Sequence, residues 1–318
     1  MRFDVDAKSF AQAVKVVSHA TTTSAATPIL ENTLLTAQDG KLILTGNNLE
    51  MAIEIEVENV VIHEEGRITL SHRFLASYAS LVHEETIQVT KETGNSIVLS
   101  TQKNTTKIKG VSANEFPVIP AVRKDRQFRI DSESLRKACT STLFSAASGN
   151  IRPTLAGVHM SISSESVVFA STDSFRLSEY RVQQEVNIDQ DMSFIIPART
   201  ANELLKLLQE PTMIDMYVAE NQLLIFFDNV KIFSRLLNGH FPEYGNFFPK
   251  TYATRAVCRR DELIQSLKQV SLISRENNYN TKVTFVPQEG LSLDTGDTEV
   301  GAGKVQVGSE IEGKEDSI

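Results

Sequence analysis

Short words in this chain return at a fixed offset. Asp6 with Phe10 and Ala13 comes back as Asp131 with Leu135 and Ala138, and Pro28-Ile29-Leu30 as Pro153-Thr154-Leu155. Asn47-Asn48 comes back as Thr172-Asp173 and Phe116-Pro117 as Phe241-Pro242, each pair 125 positions apart. Four landmarks at one spacing, spread from the start to the end of the unit, predict two tandem domains of one fold with almost no net insertion between them. The unit is domain-sized, well beyond the period of a solenoid. Equivalent domains laid in series build a large, regular surface, suited to binding something long or symmetric.

Each unit opens on a short strand and a helix. Asp6 is placed to cap a helix whose Phe10, Ala13, Val14 and Val17 form an apolar stripe, and Asp131 to cap one with Leu135, Ala138, Cys139 and Thr142, leaving Arg136 and Lys137 exposed. Strand-like segments follow in both (34–36, 41–45 and 51–57; then 157–162, 166–170 and 176–183), punctuated by Asp39-Gly40 and Asn47-Asn48 turn chemistry. A second helix is predicted from Ser71 to Val82, and its counterpart from Pro197, in the first turn, to Leu208. Three strands and a Phe-Pro segment close each unit. After Pro249-Lys250 the pattern restarts, with Arg259-Arg260-Asp261-Glu262 leading into Leu263, Leu267 and Val270, and strands at 282–285 and 291–293. Only 68 residues follow Lys250 in the 318-residue chain, against about 125 for a full copy. The expected domains are 1–123, 124–250 and a partial third over 251–318, lacking its second helix and closing strands. Such a half-copy would leave a sheet edge and an apolar helix face open.

Composition excludes several classes. At 41% hydrophobic and 23% charged residues the chain is an ordinary globular one. No segment approaches a continuous apolar span, and Met1-Arg2-Phe3-Asp4-Val5-Asp6 lacks a signal-peptide core, so the cytoplasm is the expected compartment. Cys139 and Cys258 are far apart in helix-like stretches, which suits two buried thiols rather than a disulfide or zinc site. The six histidines have no paired metal-ligand spacing, and no Gly-x-Ser-x-Gly elbow occurs. Gly296-Asp297-Thr298-Glu299-Val300-Gly301 resembles a phosphate loop but lacks Lys directly after the second Gly. Glu64-Glu65 and Glu84-Glu85 read as solvated surface. No catalytic residue, metal or cofactor is expected. The net charge of −8 argues against bulk attraction to nucleic acid, so a DNA role requires basic residues segregated onto one face. The alternation over 52–58 places Glu54, Glu56 and Glu58 on one solvated face and Ile53, Ile55 and Val57 toward a core.

The segment Thr172-Asp173-Ser174-Phe175-Arg176-Leu177, with Pro153-Thr154-Leu155-Ala156-Gly157-Val158 before it and Phe241-Pro242-Glu243-Tyr244 after it, resembles the bacterial DNA polymerase III beta subunit, the sliding clamp. So do Met1-Arg2-Phe3, Phe116-Pro117 and Arg259-Arg260-Asp261-Glu262-Leu263. The resemblance covers essentially the whole chain, in order. It implies an α+β fold of repeated clamp domains, each two antiparallel sheets flanked by two helices, the third copy incomplete here. Two protomers would close head to tail into a homodimeric ring around double-stranded DNA, held by topology rather than by strong phosphate contacts. The implied function is that of a replication processivity factor without a catalytic site.

The resemblance also implies three surfaces. Basic residues of the repeat helices would face DNA: Lys8, Lys15, Arg73, Arg136, Lys137, Arg152, Arg199, Lys206 and Lys268. A groove between the second and third domains would take an apolar peptide of the polymerase catalytic subunit, the clamp loader, or repair and translesion polymerases. The matching positions are Leu155, Thr172, Ser174, Phe175, Arg176, Leu177, Pro242 and Phe247. The subunit interface would use Leu272 and Ile273, with Lys103 and Lys107 on a first-domain strand facing acids such as Glu299. The chain departs from the family where Phe175 replaces a usual His, where Asn246 replaces a frequent basic residue, and where Gly301-Ala302-Gly303-Lys304-Val305 replaces an acidic run. The residues leave two other readings open: a monomeric, partner-binding form unable to close a ring, and an enzyme with a site between domains, which would need a convergent titratable set that the sequence does not offer.

Overall fold

The structure, a computed structural model, describes residues 1–22, 27–124, 126–149 and 152–318. Its helices are α1 (Ala7–Val17), α2 (His72–Leu81), α3 (Ser132–Thr142), α4 (Ala198–Leu207) and α5 (Arg260–Ser274). The described chain forms two compact units, Met1–Phe241 and Pro242–Ile318.

In the first unit the 125-residue offset reappears as topology. Strands Arg2–Asp6, Thr86–Lys91, Ser96–Ser100 and Thr105–Lys109 lie in that order in one sheet, with Val60–Glu64 on its other edge. Their counterparts Gln127–Asp131, Met213–Val218, Gln222–Phe227 and Val230–Arg235 keep the same order. The remaining strands agree likewise: Met51–Val57, Lys41–Asn47, Asn32–Gln38 and Gly66–Ser71 in the first repeat match Leu177–Gln183, Ser166–Thr172, Gly157–Ile162 and Met192–Pro197 in the second. The caps repeat too. Asp6 Oδ1 accepts from Ser9 N–H at 2.8 Å, and Asp131 Oδ1 accepts from Ser134 N–H at 2.8 Å. A cap of this kind is worth about 1 kcal/mol.

The two repeats share one sheet. Val230–Arg235 pairs antiparallel with Met51–Val57, setting Val230 opposite Ile55 and Ile232 opposite Ile53, so four strands of each repeat fuse into eight. Asn229 ties the junction further: its Nδ2 donates to Glu56 O at 2.7 Å and its carbonyl accepts from Glu56 N–H at 3.1 Å. A single apolar cluster runs through both repeats, with Phe3, Phe10, Leu35, Ile53, Phe169 and Ile232 fully buried. Each such side chain contributes roughly 1.5–3 kcal/mol on burial. The predicted stripe of α1 is buried as expected, as are Leu135, Ala138, Cys139 and Thr142 of α3.

Several local expectations are corrected. Ser71 and Pro197 are not helical: Ser71 is the N-cap of α2, donor Phe74 N–H at 3.4 Å, and Pro197 ends a strand just before α4. The strand expected from residue 176 begins at Leu177. Glu54 does not lie on an open face, because Lys231 of the added strand sits opposite it and burial pushes its carboxyl above the usual range.

In the second unit α5 is the only α-helix among the described residues. Thr254–Cys258 pairs with Ser309–Gly313, and a second sheet runs Lys304–Val307, Gly290–Asp294, Lys282–Val286, Asp316–Ser317. This order repeats that of the first repeat, where Arg2–Asp6 pairs with Val60–Glu64 and the other sheet runs Met51–Val57, Lys41–Asn47, Asn32–Gln38, Gly66–Ser71. Val270 of α5 packs on Leu291, Leu293 and Val307, with Leu263 and Phe285 at the margin. Cys258 ends a strand, contrary to the helix-like expectation.

Candidate functional site

Seven of the nine expected basic residues lie on one row of helices. α1 packs on α2 within the first repeat and α3 on α4 within the second. The pairs meet where His19, just past α1, sets Nδ1 2.6 Å from Glu203 Oε2 on α4. A cavity of about 670 Å³ opens between α1 and α4, with Lys8, Lys15 and Lys206 on the helical side and Glu56, Glu210 and Asp228 also lining it. The row therefore runs α2, α1, α4, α3. It carries seven basic side chains (Lys8, Lys15, Arg73, Arg136, Lys137, Arg199, Lys206) and two acidic ones, Glu133 and Glu203. Both acids are engaged at short range, Glu133 by Lys137 at 2.6 Å and Glu203 by Lys206 at 2.8 Å. Glu50 lies 3.9 Å from Arg199. All seven basic side chains are exposed. Segregation is the condition that the acidic total imposes on any nucleic-acid contact.

Two of the nine expected basic positions differ. Arg152 is not on a helix; it precedes the 3₁₀ turn Pro153–Leu155, and its Nη1 donates to Ser174 Oγ at 2.5 Å. Lys268 is exposed on α5, whose own charge is balanced by Asp261 and Glu262.

The Thr172–Leu177 segment is a tight polar turn at the end of a strand. Thr172 Oγ1 accepts from Ser174 N–H at 3.1 Å, and its hydroxyl donates to Arg176 O at 2.8 Å. Asp173 Oδ1 accepts from the N–H groups of Phe175 (2.9 Å) and Arg176 (3.0 Å), and these bonds hold its carboxyl below the usual range. Ser174 takes a left-handed φ of 80°, which turns Phe175 outward until 98% of it is exposed. Arg176 bonds Asp173 Oδ2 at 3.0 Å and lies 5.8 Å from the ring centre of Phe144. Leu155 is buried, and Leu177 half-buried. The turn thus brings Arg152, Thr172, Ser174, Phe175 and Arg176 together as one surface. Pro242 and Phe247 belong to the second unit, where both are exposed.

Of the expected interface residues, Lys107 lies on the edge strand Thr105–Lys109 and pairs with Glu92 at 2.5 Å. Lys103 sits in the turn before that strand rather than on it. In the second unit Leu272 is 77% exposed on α5, Ile273 approaches Gly303, and Glu299 is exposed.

The remaining candidate chemistry is structural. His159 stacks on Phe241 with ring centres 4.7 Å apart, His63 bonds Asp4 at 3.0 Å, and His72 Nδ1 lies 3.0 Å from Thr33 Oγ1, its pKa lowered by burial. Burial pushes the Cys139 thiol up to about 12. The run from Gly296 to Gly303 connects two strands and opens no helix, unlike a phosphate loop. Among the described residues no helix is long and apolar enough to cross a membrane.

Comparison with known proteins agrees with this arrangement. Residues 1–120 match the family model for the DNA polymerase III beta subunit, N-terminal domain, and residues 129–243 that for its central domain. A beta sliding clamp of Halalkalibacterium halodurans is 30% identical over 286 residues, covering 87% of this chain and 75% of that protein. One from Bacillus subtilis is 25% identical over 328 residues, covering 100% of this chain and 87% of the relative. The crystal structure of a DNA polymerase sliding clamp from Bacillus subtilis superposes with a TM-score of 0.94 at 25% identity, covering 100% of this chain and 86% of that one. The beta subunit of Streptococcus pyogenes DNA polymerase has the same fold, with a TM-score of 0.93 at 22% identity over 100% and 86%.

Proposed function

The chain belongs to the DNA polymerase III beta subunit family, the bacterial sliding clamps, and from that premise we propose that it encircles duplex DNA and tethers a polymerase to it. The observation that carries this reading is the row α2, α1, α4, α3, which holds seven basic and two acidic side chains in a chain of net charge −8. Lysines and arginines on long exposed stems, spread over four helices, make diffuse contacts that no base sequence dictates. Exposed contacts of this kind are individually weak and carry no base sequence information, so in this reading the protein slides rather than grips. Arg152, at the Thr172–Leu177 turn, belongs with the partner surface in this reading, and Lys268 is a DNA-facing position of the second unit's own helix.

Ring closure has a repeat-based rationale. Val230–Arg235 joins the repeats by pairing with Met51–Val57. Its counterpart in the first repeat, Thr105–Lys109, is a free sheet edge, and the counterpart of Met51–Val57 in the second unit is the edge strand Lys304–Val307. Head-to-tail pairing of those two edges between copies would repeat the internal junction and close a ring, with Lys103 and Lys107 on one side and Leu272, Ile273 and Glu299 on the other. In this reading the domains run 1–123, 124–250 and 251–318, while the compact units divide after Phe241.

The partner surface proposed is the Thr172–Leu177 turn with Leu155, Pro242 and Phe247. Arg152 and Arg176 orient a peptide whose apolar side chains seat on Leu155 and Leu177. Its ligands would be the replicative polymerase, the loader, and repair or translesion polymerases, in the cytoplasm. In this reading the protein carries no reaction of its own. Primer extension under single-encounter conditions tests it: with loader present, product length per binding event rises when the protein is added, and Leu177→Ala with Phe247→Ala abolishes the rise while the melting curve persists. Unchanged product length on adding the wild-type protein refutes the reading.

A further inference from the structure

The turn at Thr172–Leu177 has a twin in the first repeat, with three of its hydrogen bonds matched. Asn47 Oδ1 accepts from Leu49 N–H at 2.8 Å, where Thr172 accepts from Ser174. Asn48 Oδ1 accepts from Glu50 N–H (3.1 Å) and Met51 N–H (2.8 Å), where Asp173 accepts from Phe175 and Arg176. Leu49 and Ser174 take the same left-handed conformation, φ 72° and 80°. Against the first-repeat turn lies a cleft of about 110 Å³. Its lining includes Leu49, Met51, Ala52, Pro117 and Val122, which stand 125 positions before Ser174, Arg176, Leu177, Pro242 and Phe247. Phe233 and Arg235 of the junction strand complete it.

We propose that this cleft is a second peptide-docking site, taking a short extended segment of a partner protein that presents one leucine-sized aliphatic side chain next to a carboxylate. The volume selects the anchor: drug-sized ligands need roughly 300–1,000 Å³, whereas 110 Å³ admits one aliphatic side chain. The rim is apolar and open, with Val118 89% exposed and Leu49 half exposed. Pro117 and Pro120 stiffen the wall, so little ordering is lost on docking. Charge selects the neighbour: Arg235 is exposed at the rim, while Glu50 beside it already faces Arg199 at 3.9 Å, leaving a net attraction for a carboxylate. The choice of a peptide rests on reading the second-repeat turn as a partner groove.

The test follows methyl signals of the full chain, labelled at Met, Leu and Val, during titration with N-acetyl-Leu-Asp-Gly amide. Saturable shifts are expected at Met51, removed by Val118→Glu, a substitution at an exposed position that leaves the fold intact. Arg235→Ala should weaken binding no more than about fivefold, the limit for an exposed ion pair. No response at Met51, or one that persists unchanged in Val118→Glu, overturns the inference. The groove is read separately: a response at Leu177 that Arg176→Glu removes supports it, and absence of that response refutes the groove while a Met51 response still stands for the cleft.

Discussion

His19 and Glu203 meet at 2.6 Å across the boundary of the two repeats, 184 positions apart in sequence, and lock the end of α1 to α4. Burial alone would raise the Glu203 carboxyl, but hydrogen bonds from Lys206 and His19 outweigh it and hold the group below its usual range. A carboxylate with a depressed folded pKa stabilises at neutral pH and loses that contribution as pH falls through the folded value. Glu203→Gln is therefore expected to cost about 1 kcal/mol near pH 7. Thermal unfolding of both proteins across pH checks this, the gap narrowing once the pH drops below the ordinary carboxylate range.

Glu54 behaves in the opposite sense. Burial raises its pKa and Lys231 compensates only in part, so the ionised form destabilises the fold above the folded pKa. Glu54→Gln should gain a few tenths of a kcal/mol at pH 7, after allowance for its partial exposure. The gain should vanish in acid, where both folded and unfolded chains are protonated. Denaturant midpoints at pH 7 and in acid give the comparison.

The two thiols should differ sharply. Cys139 is buried on α3 with its thiol pushed up to about 12, and only the thiolate attacks. Cys258 is half-buried at the end of a strand. Brief iodoacetamide treatment of the native protein at pH 8, read by peptide mass spectrometry, should mark Cys258 alone, with Cys139 appearing only after unfolding.

Leu49 carries backbone strain at φ 72°. The left-handed conformation costs a side chain with a Cβ roughly 1–2 kcal/mol, and glycine recovers part of that against the greater freedom it gives the unfolded chain. Leu49→Gly is expected to stabilise by about 0.5 kcal/mol in a chemical denaturation experiment. The same change in the first-repeat cleft would also remove part of its rim.

Much of this was legible in the residues. The cap aspartates 6 and 131 and the Phe-Pro pairs at 116 and 241 marked the repeat because local chemistry is written locally: a cap or a turn needs its own side chain at its own place. The pairing of Ile55 with Val230 left no such trace, since two apolar strands 175 positions apart look like any others. That unseen junction explains why Glu54 reads as solvated yet is partly buried. Arg152 and Lys103, expected on a helix and a strand from the family resemblance, sit in turns instead, because matching positions carry a charge but not the local hydrogen bonds that hold it. The turn at Asn47-Asn48 was legible as the counterpart of Thr172-Asp173, but Leu49, Glu50 and Met51 share no side chain with Ser174, Phe175 and Arg176, so the match of the following residues shows only in the hydrogen bonds that the Asn47 and Asn48 side chains accept from them.

Confinement of DNA without strong grip is the centre of this account, and retention on closed against open DNA measures it most directly. The protein is loaded with its loader onto a nicked circle, the salt is raised, and half the sample is linearised. Survival on the circle with loss from the linear form is the predicted result. Equal loss from both, governed by salt alone, would contradict it.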